Sequence, residues 1–302
     1  MSIEDLSEIH RPITSLFPSL KDDDFERYCL SSEDVDFFHD QGYLSGIQLL
    51  DTTQIEVLKQ ELSEFFNPEH AGSNLWHEYH TNESENPDRV LFHALGAWRL
   101  RSGFHDLLWN PAYLIPASQL LGGGVRFWHD QLFCKPAKHG GNVAWHQDYS
   151  YWTRTQPMAH LTCWTGLDRA TQENGCLQYI PGSHRWDLLP ITGLAGDMTA
   201  IQNVLTDAQW GAFQNPVSIE LEPGQCTFHH PLMVHGSFDN RTEQPRRAVV
   251  LNLIRDGVES HTDDELLAGV PVIPSGKRWR GSSFHCSILR HKKCWLKSIK
   301  VI

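Results

Sequence analysis

The stretch 143–152 reads Val-Ala-Trp-His-Gln-Asp-Tyr-Ser-Tyr-Trp and combines a strand-like composition with two residues that commonly bind metals, His146 and Asp148. Side chains two positions apart lie on the same face of a β-strand, so both can reach one ion while Gln147 points away. His235, about ninety residues further on, supplies a second imidazole. Two imidazoles and one carboxylate can occupy one face of an octahedral metal and leave the opposite positions open. The sequence therefore predicts a metal site.

A second His-x-Asp pair, His261 and Asp263, has the same spacing. Thr262 and Glu265 form a capping-box pattern there, which predicts the start of a short acidic helix over 263–268. We interpret this pair as a solvated helix start. The first pair lies instead in a strand-like run with aromatic neighbours.

Short β-rich runs separated by turn signals dominate the second half of the chain. They cover 125–135, 143–152, 160–168, 176–180, 217–221, 225–229 and 246–254. Asn174-Gly175 and Pro223-Gly224 are typical turn sequences. Many short strands with such turns favour a sandwich or barrel over a parallel α/β sheet. We predict a mainly β fold with helical additions.

Several separate motifs share one order and spacing with a known family. They are 125–136 (VRFWHDQLFCKP), 145–148 (WHQD), 174–177 (NGCL), 181–184 (PGSH), 223–224 (PG) and 235–237 (HGS) through Arg246. Over about residues 32 to 256 this pattern resembles the phytanoyl-CoA dioxygenase family of iron(II)/2-oxoglutarate oxygenases. The resemblance implies a double-stranded β-helix, that is, a jelly roll or cupin-like barrel with helices packed outside.

The resemblance also implies roles for individual residues. His146, Asp148 and His235 correspond to the family's iron ligands, and Arg246 to the residue that holds the distal carboxylate of 2-oxoglutarate. A planar guanidinium suits this task because it forms two parallel hydrogen bonds to a carboxylate. The neighbouring Arg247 must face the other way on a strand. By family position alone, further cosubstrate contacts are expected from Lys135, Ser237, Gln131 and Trp164.

The activity that the resemblance implies is that of a dioxygenase of the hydroxylase type. Such an enzyme uses Fe(II), 2-oxoglutarate and O2, with ascorbate as a reductant, and oxidises an unactivated carbon of a small molecule while 2-oxoglutarate becomes succinate. Asp148 disfavours halogenation, because related halogenases carry Gly or Ala at this position. Desaturation, ring closure and the substrate class stay open.

Two other functions use the same metal ligands. A zinc hydrolase would hold a water on them, and a catalytically inactive barrel would keep them as a binding module. Arg246 argues against the hydrolase, which has no need of a carboxylate clamp. The intact set of three ligands argues against the inactive barrel.

Length and composition suit one domain over 1–302, with a loosely ordered acidic lead-in at 1–30 and a basic tail at 275–302. The tail holds eight basic residues and no acidic one, so the other 274 residues carry 17 basic and 37 acidic residues, or −20. Nucleic acid is therefore an unfavourable partner, and a small-molecule substrate is expected. We interpret the tail as a solvated end, with contact to an anionic substrate, a membrane surface or the acidic surface as alternatives.

Targeting signals and cysteine patterns point to a cytoplasmic protein. No apolar run reaches the ~18 residues that a membrane helix needs. The amino-terminal residues lack the pattern of a signal peptide. The seven cysteines include no Cys-x-x-Cys pair, so neither a disulfide framework nor a zinc knuckle is expected.

The first half of the chain predicts two helices. Ser32 can cap one through about residue 39, before a strand that begins near Tyr43. A capping box at 53–56 predicts another, and its core stripe is Ile55, Leu58, Leu62 and Phe65. The polar stretch 67–88 is either a lid or a plain surface loop.

Aromatic and histidine residues near the predicted site allow two interpretations. Trp128, Trp152 and Trp164 either line a substrate pocket or pack in the core. His229 and His230 are not expected to form a second metal site, because adjacent strand residues face opposite ways.

Overall fold

The computed structural model describes residues 4–19, 26–84 and 86–279. Its α-helices are α1 (Ser32–Gln41), α2 (Thr52–Glu64), α3 (Ser102–Leu107), α4 (Pro111–Leu121) and α5 (Asp207–Phe213). Its β-strands are β1 (Tyr43–Gln48), β2 (Glu78–His80), β3 (Phe92–Leu95), β4 (Val125–Lys135), β5 (Val143–His146), β6 (Thr155–Gln156), β7 (His160–Gly166), β8 (Leu177–Tyr179), β9 (Val217–Ile219), β10 (Gln225–His229), β11 (His235–Ser237), β12 (Arg246–Arg255) and β13 (Glu259–Ser260). Most of the predicted basic tail and the acidic run 22–24 lie outside the described residues.

Two antiparallel sheets form the body of the described structure. The larger has seven strands in the order β1-β10-β7-β12-β4-β3-β2, and the smaller has four in the order β5-β11-β8-β9. The sheets pack on each other through a cluster that includes Trp164 and Val250 from the large sheet and Leu177 and Tyr179 from the small one. The predicted mainly β fold with helical additions is confirmed.

Strand β12 shows how the sequence divides the core. Ala248 and Val250 belong to the cluster between the sheets, whereas Val249 and Leu251 belong to the cluster that also contains residues of α2, α3 and α4. Alternation along one strand thus places a second sheet on one face and helices on the other. Arg246 is separated from Ala248 and Val250 by an even number of positions, so its side chain lies on the same face of β12 as theirs.

Helix α1 begins and ends with clear signals. Ser31 and Asp34 form a capping box, so the cap is one residue before the predicted Ser32. Gly42 ends the helix at φ +83°. A β-carbon there would lie 2.3 Å from Nδ1 of His184, so both conformation and space require glycine.

Helix α2 confirms the predicted core stripe but not its predicted cap. Its cap is Asp51, paired with Gln54 in a capping box, rather than a box at 53–56. Four residues at helical spacing are buried: Ile55, Leu58, Leu62 and Phe65.

Several predicted elements need correction. The strand predicted over 143–152 ends at His146, and a 3-10 turn over Asp148–Tyr151 follows. The helix predicted over 263–268 is wrong, since these residues form bends and turns. Asp263 accepts a hydrogen bond from the backbone of Ser275, and Arg154 donates to the Glu265 and Leu266 carbonyls, so contacts with distant residues hold this segment in its turns.

The polar stretch 67–88 is only partly a loop. It contains a 3-10 turn over Ser73–Leu75 and the edge strand β2, which pairs with β3. In the part of the chain that the structure describes, no helix has the length and apolar character to cross a membrane.

Candidate metal centre and adjoining cavity

The two candidate histidine ligands are direct neighbours across the small sheet. His146 ends β5, His235 begins β11, and the two are register partners with ring centroids 4.2 Å apart. His146 Nδ1 donates to the Ala144 carbonyl at 2.8 Å, and His235 Nδ1 donates to the Met233 carbonyl at 2.9 Å. A carbonyl can only accept, so Nδ1 carries the proton on each ring and Nε2 keeps its lone pair.

Asp148 completes the group at the end of the strand. Its Oδ1 lies 3.4 Å from His146 Nε2 and 3.6 Å from His235 Nε2, and the three ligand atoms all lie within 4.8 Å of one another. Gln147 stays extended although the strand has ended, so the predicted convergence survives. Its buried side chain points away and donates to the Leu232 carbonyl at 3.0 Å. The donor set fits a facial metal site.

The second oxygen of Asp148 is held by residues that the sequence did not reveal. Oδ2 accepts hydrogen bonds from Thr162 Oγ1 at 2.6 Å and from His229 Nε2 at 2.9 Å. The Tyr179 hydroxyl lies 2.8 Å from His229 Nδ1 and fixes that ring. Burial raises the pKa of Asp148, but His235, His146 and His229 outweigh it and hold the pKa well below its usual range. Asp148 therefore presents one free oxygen, Oδ1.

A cavity of about 430 Å³ adjoins the three ligands. Trp128, Trp152 and Trp164 all line the cavity, and all three are also buried. Each therefore both borders the predicted pocket and packs in the core. Side chains of both sheets contribute to the wall. The three candidate metal ligands thus lie where a small molecule can reach them.

Arg246 lies in this cavity without a partner for two of its nitrogens. Its side chain is 1% exposed, and Nε and Nη1 have no hydrogen-bond partner among the described residues. The guanidinium carbon lies 5.3 Å from the centre of the Trp164 ring. Burial lowers the pKa of Arg246 to about 10. A buried cation with free donors fits an incoming carboxylate.

Arg247 lies on the opposite face of β12. Its Nε and Nη2 donate to the two carboxylate oxygens of Asp168 at 2.7 and 2.8 Å. This bidentate pair is part of the protein surface away from the cavity. Alternation along the strand therefore separates the two arginines as predicted.

The other predicted cosubstrate contacts differ in position. Lys135 Nζ donates to Ser237 Oγ at 2.7 Å and also to the carbonyls of Ser237 and Phe238, so it lies behind the wall rather than among the lining residues. Ser237 and Gln131 do line the cavity. Gln131 Oε1 accepts from Asn252 Nδ2 at 3.0 Å.

The other histidines considered in the sequence analysis lie outside the group of three candidate ligands. His261 and Asp263 are exposed and lie outside the described metal-binding group. His230 faces His184 at a ring distance of 5.4 Å, while its neighbour His229 reaches Asp148. His229 thus supports a candidate ligand and does not build a separate site with His230.

The sequence model of the phytanoyl-CoA dioxygenase (PhyH) family matches residues 38–248. The chain belongs to this family. Phytanoyl-CoA dioxygenase of Arabidopsis thaliana is 26% identical over 78% of this chain and 93% of its own length. A probable phytanoyl-CoA dioxygenase of Caenorhabditis elegans is 32% identical over 42% of either chain. L-proline trans-4-hydroxylase of Streptomyces griseoviridis is 28% identical over 56% of this chain and 72% of its own length.

Solved structures share the fold. The α-ketoglutarate-dependent carbocyclase SnoK from nogalamycin biosynthesis superposes with a TM-score of 0.68 at 23% identity, over 84% of this chain and 95% of that one. EctD from S. alaskensis, solved with 2-oxoglutarate and 5-hydroxyectoine, superposes with a TM-score of 0.60 at 21% identity, over 81% and 82%. The predicted family and the double-stranded β-helix, or cupin-like barrel, are confirmed.

Proposed function

We propose that this protein is a non-haem Fe(II)- and 2-oxoglutarate-dependent dioxygenase that hydroxylates a small molecule. In this proposal His146, Asp148 and His235 hold the iron, and Arg246 binds the distal carboxylate of 2-oxoglutarate. The observation that carries it is the buried guanidinium of Arg246, with two unpaired donors, in the same cavity as a set of two imidazoles and one carboxylate. A zinc hydrolase needs no such clamp.

Hydrogen bonds with neighbouring groups orient each proposed ligand. Backbone carbonyls hold the proton of both rings on Nδ1, which leaves Nε2 free for a metal. Thr162 and His229 occupy one oxygen of Asp148, which favours binding through the other oxygen alone. Binding through one oxygen would leave further positions of the metal for the cosubstrate and O2. Family membership and the solved relatives with Fe or 2-oxoglutarate support the same cofactors.

The remaining residues of the cavity orient the cosubstrate and exclude water. Arg246 fixes the far end of 2-oxoglutarate, Trp164 packs against the guanidinium, and Ser237 offers a hydroxyl held by Lys135. When bound, iron, O2 and 2-oxoglutarate supply the oxidising power, with succinate and carbon dioxide as coproducts. A carboxylate ligand at position 148 leaves no vacant position for a halide, so we propose hydroxylation rather than halogenation.

The test is anaerobic loading of the protein with Fe(II) and then 2-oxoglutarate, with ascorbate present to keep the iron reduced. We expect the absorption band of an Fe(II)–2-oxo acid chelate, and slow succinate release once O2 is admitted. Zn(II) should give neither signal, and His146→Ala should lose both. Iron binding without a chelate band, or succinate release that persists in His146→Ala, would contradict the proposed function.

A further inference from the structure

The cavity carries more negative charge than the proposed iron site uses. In the proposed iron site, the positive charges of Fe(II) and Arg246 would balance the negative charges of Asp148 and of the two carboxylates of 2-oxoglutarate. The other charged side chains that line the cavity are Glu78, Glu83 and Arg154. Arg154 already donates to the Glu265 and Leu266 carbonyls at 2.8 and 3.2 Å. The space left for a substrate therefore has a net negative wall.

Glu83 is held in place with one oxygen free. Its backbone N–H donates to the Leu91 carbonyl at 2.8 Å. Its Oε2 accepts from His93 Nδ1 at 3.2 Å and lies 3.4 Å from His80 Nε2. Among the described residues, Oε1 accepts no hydrogen bond, and the side chain is 19% exposed. A positioned carboxylate with one free oxygen is an acceptor for a ligand's donor.

A buried hydrogen-bonded chain orients this carboxylate. Asn252 Nδ2 donates to Gln131 Oε1 at 3.0 Å, which turns the Gln131 amide nitrogen toward His93 Nε2, 3.5 Å away. His93 is 3% exposed and stacks on Phe133 with ring centroids 4.4 Å apart. Because Nε2 of His93 faces a donor, its proton lies on Nδ1 and is donated to Glu83. This hydrogen bond lowers the pKa of Glu83 and keeps it ionised near neutral pH.

Glu83 lines the same cavity as the three proposed iron ligands, so one small molecule in that cavity can contact both. Tyr151 packs edge-on to His146, with ring centroids 6.1 Å apart. Tyr151 lines the same cavity as Glu83.

A second, independent observation concerns Trp128 in the same wall. Its side chain is 2% exposed and lines the cavity, yet its indole Nε1–H has no hydrogen-bond partner among the described residues. A buried donor of this kind is available to an acceptor on a bound ligand. Trp152 lines the same cavity, and indole rings attract cations through their faces.

We propose that Glu83 binds a cationic nitrogen of the substrate, which is a small ammonium or guanidinium compound and not a coenzyme A thioester. This inference rests on the proposed function, because the iron and 2-oxoglutarate take up the rest of the cavity. Its volume of about 430 Å³ must also hold the cosubstrate, which leaves room only for a small molecule. The phosphates of coenzyme A would meet acidic side chains at Glu78 and Glu83 and a chain with a formal net charge of −12.

The test compares three probes with one carbon skeleton. The full-length protein is loaded anaerobically with Fe(II) and 2-oxoglutarate, and the chelate band is recorded. Cyclohexylammonium, cyclohexanol and cyclohexanecarboxylate are then titrated by calorimetry. We expect the ammonium ion to bind at least tenfold more tightly than the carboxylate. Glu83→Gln should weaken ammonium binding about tenfold, the effect of one charged hydrogen bond, with the chelate band unchanged.

Two further variants make the result specific. Glu78→Gln should weaken ammonium binding less, and the exposed Glu243→Gln should leave it unchanged. The inference is overturned if the carboxylate, or acetyl-CoA titrated in the same way, binds as tightly as the ammonium ion. It is also overturned if no ammonium binding is detected at millimolar concentration, or if Glu83→Gln keeps the full preference. Failure of the proposed function is distinct, because it removes the chelate band of the wild-type protein before any probe is added.

Discussion

His229 Nε2 lies 2.9 Å from Oδ2 of Asp148, and this contact determines which carboxylate oxygen is left for a metal. Thr162 binds the same oxygen at 2.6 Å. With both hydrogen bonds in place, Oδ1 alone faces the two imidazoles. The support comes from the large sheet, whereas the two histidines belong to the small sheet and Asp148 to the turn after β5, so the packing of the two sheets sets the geometry of the site.

We expect His229→Ala to weaken Fe(II) binding by about 10- to 100-fold, the usual effect of removing a residue that orients a metal ligand. The carboxylate would then be free to turn and to use both oxygens. Anaerobic calorimetry measures the affinity. Thr162→Val, which removes only a hydroxyl, should change it in the same direction. Wild-type affinity in both variants would show that Asp148 needs neither contact.

Removal of a proposed iron ligand should weaken Fe(II) binding more than removal of a residue that supports one. His235→Ala removes one of the two imidazoles, and we expect stoichiometric Fe(II) binding to be abolished at micromolar protein. His261→Ala is the matched control, because His261 is exposed and is not a member of the group of three proposed ligands. Metal analysis after gel filtration measures bound iron. An equal loss in His261→Ala, with circular dichroism unchanged, would mean that the wrong His-x-Asp pair has been assigned.

Substitution of the two adjacent arginines should affect cosubstrate binding differently. Arg246→Ala should weaken 2-oxoglutarate binding by about 2–5 kcal/mol, or roughly 30- to 5000-fold, because the carboxylate loses a buried bidentate partner. Fe(II) binding should stay nearly normal. Arg247→Ala loses only the pair with Asp168 and should bind 2-oxoglutarate like the wild type. Anaerobic titration of the chelate band compares them. The reverse pattern would assign the clamp to Arg247.

Two buried histidines should make the fold sensitive to acid. Burial lowers the pKa of His129 and of His160 to about 3. In the unfolded chain the pKa is ~6.5, so between these values the unfolded state binds more protons and the free energy of unfolding falls as pH decreases. From pH 7 to pH 5 we expect a loss of about 2 kcal/mol for each histidine. Urea unfolding at both pH values measures it.

His160→Gln removes one of these groups and should reduce the pH dependence by about 2 kcal/mol over the same interval. His261→Gln, at an exposed position, should leave it unchanged. An identical pH dependence in His160→Gln and the wild type would show that His160 is protonated in the folded state as well.

Local sequence patterns correctly predicted features that depend on residues close together in the chain. The strands 125–135 and 225–229 have the predicted bounds, since alternation and turn residues define them. The helical stripe of α2 is buried, because its spacing fixes one face. The His-x-Asp spacing brought His146 and Asp148 together even though the strand ends between them.

Long-range contacts could not be predicted from such patterns. His229 and Thr162 reach Asp148 only because two sheets fold against each other, and no local spacing encodes that. The helix expected over 263–268 fails for the same reason. Arg154, more than a hundred residues earlier, donates to two carbonyls of this segment, and Asp263 accepts from the backbone of Ser275, contacts that a local capping pattern does not reveal.

The unpaired guanidinium of Arg246 has a consequence for the lifetime of the folded chain. A ligand that binds only the native state raises its stability by RT ln(1 + [L]/Kd), about 2.7 kcal/mol at a hundred times Kd. Under the proposed function, 2-oxoglutarate is that ligand, and it also relieves a desolvated charge. Resistance to heat and to proteases should then rise and fall with the concentration of a metabolite. The cosubstrate thus governs how much intact enzyme persists, in addition to how fast it turns over.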